Sequence, residues 1–244
     1  MVVEKIKPAF HFKQFSIVQD RAAMKISTDG VLLGAWTNLK NEKKILDIGT
    51  GTGILALMMA QKSSIEVLID AIEIDYESCL DAEMNFSNSP FKQKINLIHD
   101  SIQHFAQISS KKYDLIISNP PYYTDGTSPH DANKANVKHA IKLTHIDLLK
   151  SVFQLLKSNG SFQLILPYIE GIRFIKLAES LGLYTAHITY VVSVEGRPIE
   201  RVLLQFKKQK RKTLIDQIVI KKSCNLEYSY DYINLTKDFY LKFG

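Results

Sequence analysis

"KKILDIGTGTGILALMMAQ", residues 43–61, joins two unlike halves through a glycine turn. "KKILDI" (43–48) is a short apolar run that reads as a strand. "GILALMMAQ" (53–61) is built of strong helix formers. Between them Gly49, Gly51 and Gly53 permit a tight turn and let a ligand approach the backbone. The third glycine comes one residue too early for the G-x-G-x-x-G dinucleotide fingerprint, and Asp47 would sit badly beside a pyrophosphate. An acid beside a glycine turn suits a cationic ligand better.

The same alternation continues outward. "IEVLIDAIEI" (65–74) is a second strand and "DYESCLDAEMNFSN" (75–88) an amphipathic helix, with Cys79, Leu80, Met84 and Phe86 expected to face inward. "KINLIH" (94–99), "YDLIIS" (113–118) and "SFQLILP" (161–167) are further strands. "SIQHFAQI" (101–108), "THIDLLKSVFQLLK" (144–157) and "IRFIKLAESLG" (172–182) are helices, the second stopped by Ser158-Asn159-Gly160. Strands alternating with helices predict a parallel sheet covered on both faces, an α/β doubly wound architecture. "YTAHITYVVSV" and "ERVLLQF" follow with no helix between them, so the last two strands form an antiparallel hairpin at the sheet edge, joined by Glu195-Gly196-Arg197-Pro198. With no repeat or low-complexity linker, one domain is expected over 1–244. It comprises an N-terminal extension (1–40), a core (41–206) and a basic C-terminal extension (207–244).

In an open parallel sheet, ligands bind at the carboxyl ends of the strands. Three successive strand ends carry an acid. Asp47 lies in the glycine turn. Glu73 ends the second strand, where a carboxylate accepts from both hydroxyls of a ribose. It is preferred to Asp75, which reads as a helix cap, and to Asp70, an outward strand residue. Asp100, followed by Ser101, ends the third, placed to accept from an adenine amino group or to cap a helix. A cationic, phosphate-free adenosine compound fits this row, and S-adenosyl-L-methionine is that compound. The fourth strand runs into Asn119-Pro120-Pro121-Tyr122. Proline cannot continue a central strand and holds its predecessor extended. The segment is therefore either a strand terminator or a stiff claw presenting Asn119 and Tyr122.

Composition adds little to fold and something to partner. The 244 residues are 45% hydrophobic and 23% charged, as in ordinary globular proteins. No apolar run approaches a membrane span, and no N-terminal leader pattern is present. Cys79 and Cys224 have neither metal nor disulfide spacing, so an intracellular, cytoplasmic location is expected. The net charge of +6 is uneven. Residues 1–150 carry 17 Lys+Arg and 17 Asp+Glu, and residues 151–244 carry 14 and 8, with the densest run at Lys207–Lys212. Such a run suits a polyanion, or equally a solvated turn that protects a sheet edge.

"ILDIGTGTG", "AIEID", "HDS" and "SNPPY", in this order, resemble the class I S-adenosylmethionine-dependent methyltransferases, over about residues 40–206. That resemblance implies a seven-stranded sheet with an antiparallel last strand. Within the class, Asn-Pro-Pro-Tyr resembles the enzymes that methylate amino groups, on adenine or on a release-factor glutamine. "FHFKQFSIVQDRAAMKISTDGVLLGAW" (10–36) is similar to the opening of the bacterial tRNA1(Val) (adenine-N6)-methyltransferases. The stretch that release-factor enzymes carry is missing. The resemblance implies that Asn119 and the Pro120 carbonyl accept the amino hydrogens, that Pro121 shapes the pocket, and that Tyr122 stacks on the base. It also places Lys25 to Leu33 at the methionine end of the cofactor. Thr28 is read either as part of that site or as a helix N-cap. Lys134 and Lys138 in the long polar loop 124–140, Arg197, Arg201 and Lys207–Lys212 are expected on an RNA-facing rim, against the anticodon loop of tRNA. His99, His104 and His145 read as structural. A glutamine methyltransferase would leave the basic third idle, a DNA enzyme would need a further recognition module, and a non-catalytic RNA-binding domain would not need Asn119.

Overall fold

Asp114, near the start of a strand, shows how the parallel sheet is pinned together. Its carboxylate accepts from the Lys43 and Lys44 amides of one neighbouring strand at 3.1 and 2.9 Å and pairs with Lys157 of the other at 2.6 Å. The computed structural model describes residues 9–22, 24–63, 66–120 and 143–243. Pro121, Tyr122, Tyr123, Lys134 and Lys138 lie outside them.

A two-residue hairpin, β1 (Phe10–His11) and β2 (Ser16–Ile17), precedes α1 (Thr28–Trp36). Then come β3 (Lys44–Ile48), α2 (Ile54–Lys62), β4 (Leu68–Glu73), α3 (Tyr76–Ser87), β5 (Ile95–His99), α4 (Ile102–Ile108) and β6 (Tyr113–Ser118). They are followed by α5 (His145–Leu155), β7 (Leu156–Pro167), α6 (Tyr168–Ser180), β8 (Tyr184–Val194), β9 (Arg201–Lys207), β10 (Leu214–Lys221) and α7 (Tyr230–Thr236). The large sheet has the order β10-β8-β9-β7-β6-β3-β4-β5. Only β9 runs against its neighbours. One apolar core packs α1, α2 and α3 on one face, and another packs α4, α5 and α6 on the other. Residues of β3 alternate between them, Ile45 to the first and Leu46 and Ile48 to the second, as the two-residue strand period requires. Among the described residues no helix is long and apolar enough to cross a membrane.

Three expectations change. The sheet has eight strands, and the β8–β9 hairpin does not form its edge. β9 inserts beside β7, and β10, from the stretch read as an extension, pairs with β8 from Leu214↔His187 to Lys221↔Val194. It thereby covers a strand that would otherwise offer unpaired backbone groups. Second, α5 ends at Leu155 and β7 begins at once. The supposed stop at Gly160 lies inside the strand, where a Cβ would stand 3.0 Å from the Tyr113 and Asp114 carbonyls and 2.8 Å from Leu156 Cδ1. Third, α3 buries Cys79, Ala82 and Phe86 together with the polar Asp81 and Asn85, while Met84 is exposed and Leu80 half-buried.

Candidate active site

The glycine turn is built by its own carboxylate from below. Asp47 is wholly buried, and its Oδ2 accepts from the Thr50 hydroxyl at 2.6 Å and the Ala56 amide at 3.1 Å. Its Oδ1 is buried with no hydrogen-bond partner. Burial pushes its pKa up to about 7, against the two hydrogen bonds, with a further small push from Glu73. Asp47 thus shapes the turn from beneath rather than lining its mouth.

Gly49 and Gly51 have φ of +68° and +56°, and no atom lies within 4 Å of where their Cβ would stand. Gly53 is needed for a different reason. Its φ is +85°, and a Cβ would come 2.3 Å from the Phe86 ring, so it packs α2 against α3. The turn is fastened to β4: the Gly49 and Thr50 amides donate to the Ile72 carbonyl.

Glu73 joins the turn to the adjacent loop. One oxygen accepts from the Gly51 amide at 2.9 Å, the other from the Ile74 and Asp75 amides at 2.9 Å. Asp75 caps α3 through the Ser78 amide, as its competing reading had it. Gly49, Glu73, Asp100 and Ser101 line one recess. Ser101, not Asp100, caps α4. Asp100 accepts from the Ser101 amide and meets His104 Nδ1 at 2.7 Å. An open glycine cradle walled by a ribose-type carboxylate and a second acid fits S-adenosyl-L-methionine.

Asn119 follows β6, whose last residue, Ser118, donates to the Ile48 carbonyl at 2.9 Å and holds the ends of β6 and β3 together. Pro120 is buried. Gly30 lies beside Asn119: a Cβ there would stand 3.9 Å from both Asn119 Nδ2 and Ser27 Oγ. The N-cap of α1 is Ser27, which accepts from the Gly30 amide; Thr28 is the first helical residue. Lys25 is exposed and donates to the Gln19 carbonyl.

Two residues that sequence reasoning missed hold the N-terminal segment in place. Asp81 Oδ2 accepts from the Arg21 and Ala22 amides, both at 2.8 Å. Asn85 brackets Val18, accepting from its amide and donating to its carbonyl at 2.8 Å, and donates to the Thr52 carbonyl of the glycine turn at 2.9 Å. Their i, i+4 spacing puts them on one face of α3, but polar side chains so spaced ordinarily face water. Their partners are backbone groups some sixty residues away in most cases, which leaves no local signal.

The family model "Methyltransferase small domain" matches residues 29–185. A tRNA1(Val) (adenine(37)-N6)-methyltransferase of Haemophilus influenzae (strain PittEE) is 42% identical over 234 residues, 96% of this chain and 99% of that protein. One of Bacteroides fragilis is 40% identical over 237 residues, 97% of this chain and 99% of that one. Among solved structures, one described as a predicted O-methyltransferase from Agrobacterium tumefaciens has a TM-score of 0.67 at 16% identity, covering 86% of this chain and 96% of that one. A methyltransferase from Pyrococcus furiosus has a TM-score of 0.51 at 23% identity, covering 72% and 80%. These structures share the fold; the full-length likeness to the curated relatives goes further, and this chain belongs to the tRNA1(Val) (adenine(37)-N6)-methyltransferase family.

Proposed function

We infer that this protein transfers a methyl group from S-adenosyl-L-methionine to the exocyclic N6 of an adenine in tRNA, beside the anticodon of tRNA1(Val). The observation that carries this reading is the succession of Gly49 and Gly51, Glu73, Asp100 and Asn119 at the ends of four adjacent strands, β3, β4, β5 and β6. Its full-length relatives carry that activity in their names.

The cofactor supplies an electrophilic methyl group. The chain's task is to make a poor nucleophile react. The N6 lone pair is delocalised into the adenine ring. In the proposed site, the Asn119 side-chain oxygen and the Pro120 carbonyl accept the two amino hydrogens. That arrangement localises the lone pair and aims it at the methyl group that a bound cofactor would supply in exchange for its own S–C bond, and the nitrogen would lose its proton once methylated. The gain is orientation and electrostatics. Glu73 holds the ribose, and Asp100 with Ser101 holds the cofactor's adenine. Pro121 and Tyr122 are assigned to the target base through the resemblance. An anticodon-loop base is already partly unstacked, which lowers the cost of presenting it.

Arg197 and Arg201 stand at the same edge of the sheet as Asn119 and are proposed RNA contacts. Lys207–Lys212 follows β9, which runs the other way, so it starts about 20 Å from Arg201 on a rise of about 3.3 Å per residue. This run is assigned to a more distant part of the RNA. The proposed location is cytoplasmic, where tRNA is.

Incubation with labelled cofactor, total tRNA and release factor tests the substrate class. Label in tRNA is expected. Label in release factor with none in RNA would overturn the reading.

A further inference from the structure

Where β8 and β10 end against the start of α1, a cavity of about 540 Å³ opens. That is the size of a small-ligand site. It lies beside the proposed target site, because Ser27, one of its lining residues, shares with Asn119 the empty position over Gly30. Thr28 and Asp29 form one wall. Lys221, Tyr228 and Tyr240 form another, and Arg201 reaches across with its Nε 2.9 Å from Asp29 Oδ2.

The chemistry of the wall is specific. Tyr228 stacks on Tyr232 at 5.2 Å between centroids and 16° between planes. The ammonium groups of Lys221 and Lys242 stand 5.5 and 4.1 Å from the Tyr228 centroid. Aromatic rings interleaved with cations suit the flat bases and phosphates of single-stranded nucleic acid. Asp29 and Glu200 also line the cavity, which a bare phosphate site would avoid; carboxylates accept from the amino groups of base edges. Cations, rings and acceptors together match a whole nucleotide.

We propose that this cavity takes a nucleotide of the RNA substrate next to the methylated adenine. Lys221 attracts its phosphate, and Tyr228 and Tyr240 meet its base. The subsite rests on the reading of RNA as the substrate. It gives the C-terminal stretch beyond β9 a part in recognition, through β10 and the tyrosines that follow it.

The test measures binding of an anticodon stem-loop RNA to wild type, Tyr228→Ala and Lys221→Ala. The RNA is used intact and with an abasic sugar at each nucleotide flanking the target adenine. One flanking abasic site weakens wild-type binding about tenfold, the scale of one lost stacked base. Tyr228→Ala weakens binding of intact RNA similarly, and the two losses do not multiply. Cofactor affinity is unchanged in both variants. Losses that multiply at both flanks, or coupling of Tyr228 to the target adenine alone, would overturn the subsite. Tyr228→Phe, which keeps the ring, retains wild-type coupling; its loss would also count against the proposal. Failure of the wild type to bind or methylate any RNA would instead sink the substrate reading, and the subsite with it.

Discussion

Asp47, at the carboxyl ends of the strands, is in a different state from Asp70 and Asp114 near the amino ends. Toward the amino ends of the strands, Asp70 accepts from Lys111, Tyr113 and Asn96, and Asp114 accepts from Lys157 and two backbone amides. Burial works upward on both carboxyls, and these bonds outweigh it, so each is held below its usual range. At the carboxyl ends, Asp47 is buried with an unpartnered oxygen, and burial wins. The left-handed glycines of the turn, Gly49, Gly51 and Gly53, are at that end too. The difference teaches how the sheet divides its labour: acids near the amino ends tie neighbouring strands together, and the buried Asp47 at the carboxyl ends shapes the turn proposed to receive the cofactor.

The sharpest way to break this division is Asn119→Ala at the carboxyl end. Turnover should fall by about 10²–10⁴, on the scale of losing a positioned polar group, with cofactor affinity largely kept. A variant within a few-fold of wild-type turnover would end the assignment.

Gly53→Ala tests whether the turn needs a glycine for its packing as well. With Phe86 in the way and φ at +85°, denaturant unfolding should show a loss of about 2–4 kcal/mol. Asp81→Leu leaves the Arg21 and Ala22 amides without their acceptor and loosens the stretch just before α1. The KM for the cofactor should rise about tenfold with kcat changed far less, and Asp81→Asn should restore part of the loss.

The two kinds of acid should also differ in sign with pH. Asp47 keeps its proton in the fold to about pH 7 while the unfolded chain releases it near 4. Its contribution to stability therefore falls as pH rises from about 4 to 7. Asp47→Asn should gain on wild type across that window. Asp114 is shifted the other way; its stability is present above the ordinary carboxylate pKa and is lost as pH falls through its lower folded value. Asp114→Asn should remove that acid-side loss. Melting temperature against pH for the three proteins reads both slopes.

The smallest effect belongs to Lys207–Lys212. Lys207 and Lys208 already rest on the Asn159 and Leu156 carbonyls, with Lys208 also over the Phe153 ring. Serine at all six positions should flatten the salt dependence of RNA binding and leave the single-turnover rate at saturating RNA unchanged.

Much of this sheet was legible because its strands are short apolar runs and its first turn is rich in glycine. The acids at the strand ends were legible for the same reason: they stand where the apolar runs stop. What escaped has a physical cause in each case. β10 carries "LIDQIVIK", but its first half is exposed and follows the run of lysines, so the stretch reads as part of a basic extension. The β7 start was hidden because Gly160 serves close strand packing, not a helix stop. Asp81 and Asn85 were invisible because distant backbone, not side-chain pattern, defines their work. Lys25 was placed by resemblance alone; its ammonium donates to the Gln19 carbonyl.

Nucleoside analysis of tRNA after one round of methylation tests the central claim most directly, since the proposed geometry addresses one atom. N6-methyladenosine is the expected product. 1-Methyladenosine, a ribose methyl group, or no methylated nucleoside at all would contradict it.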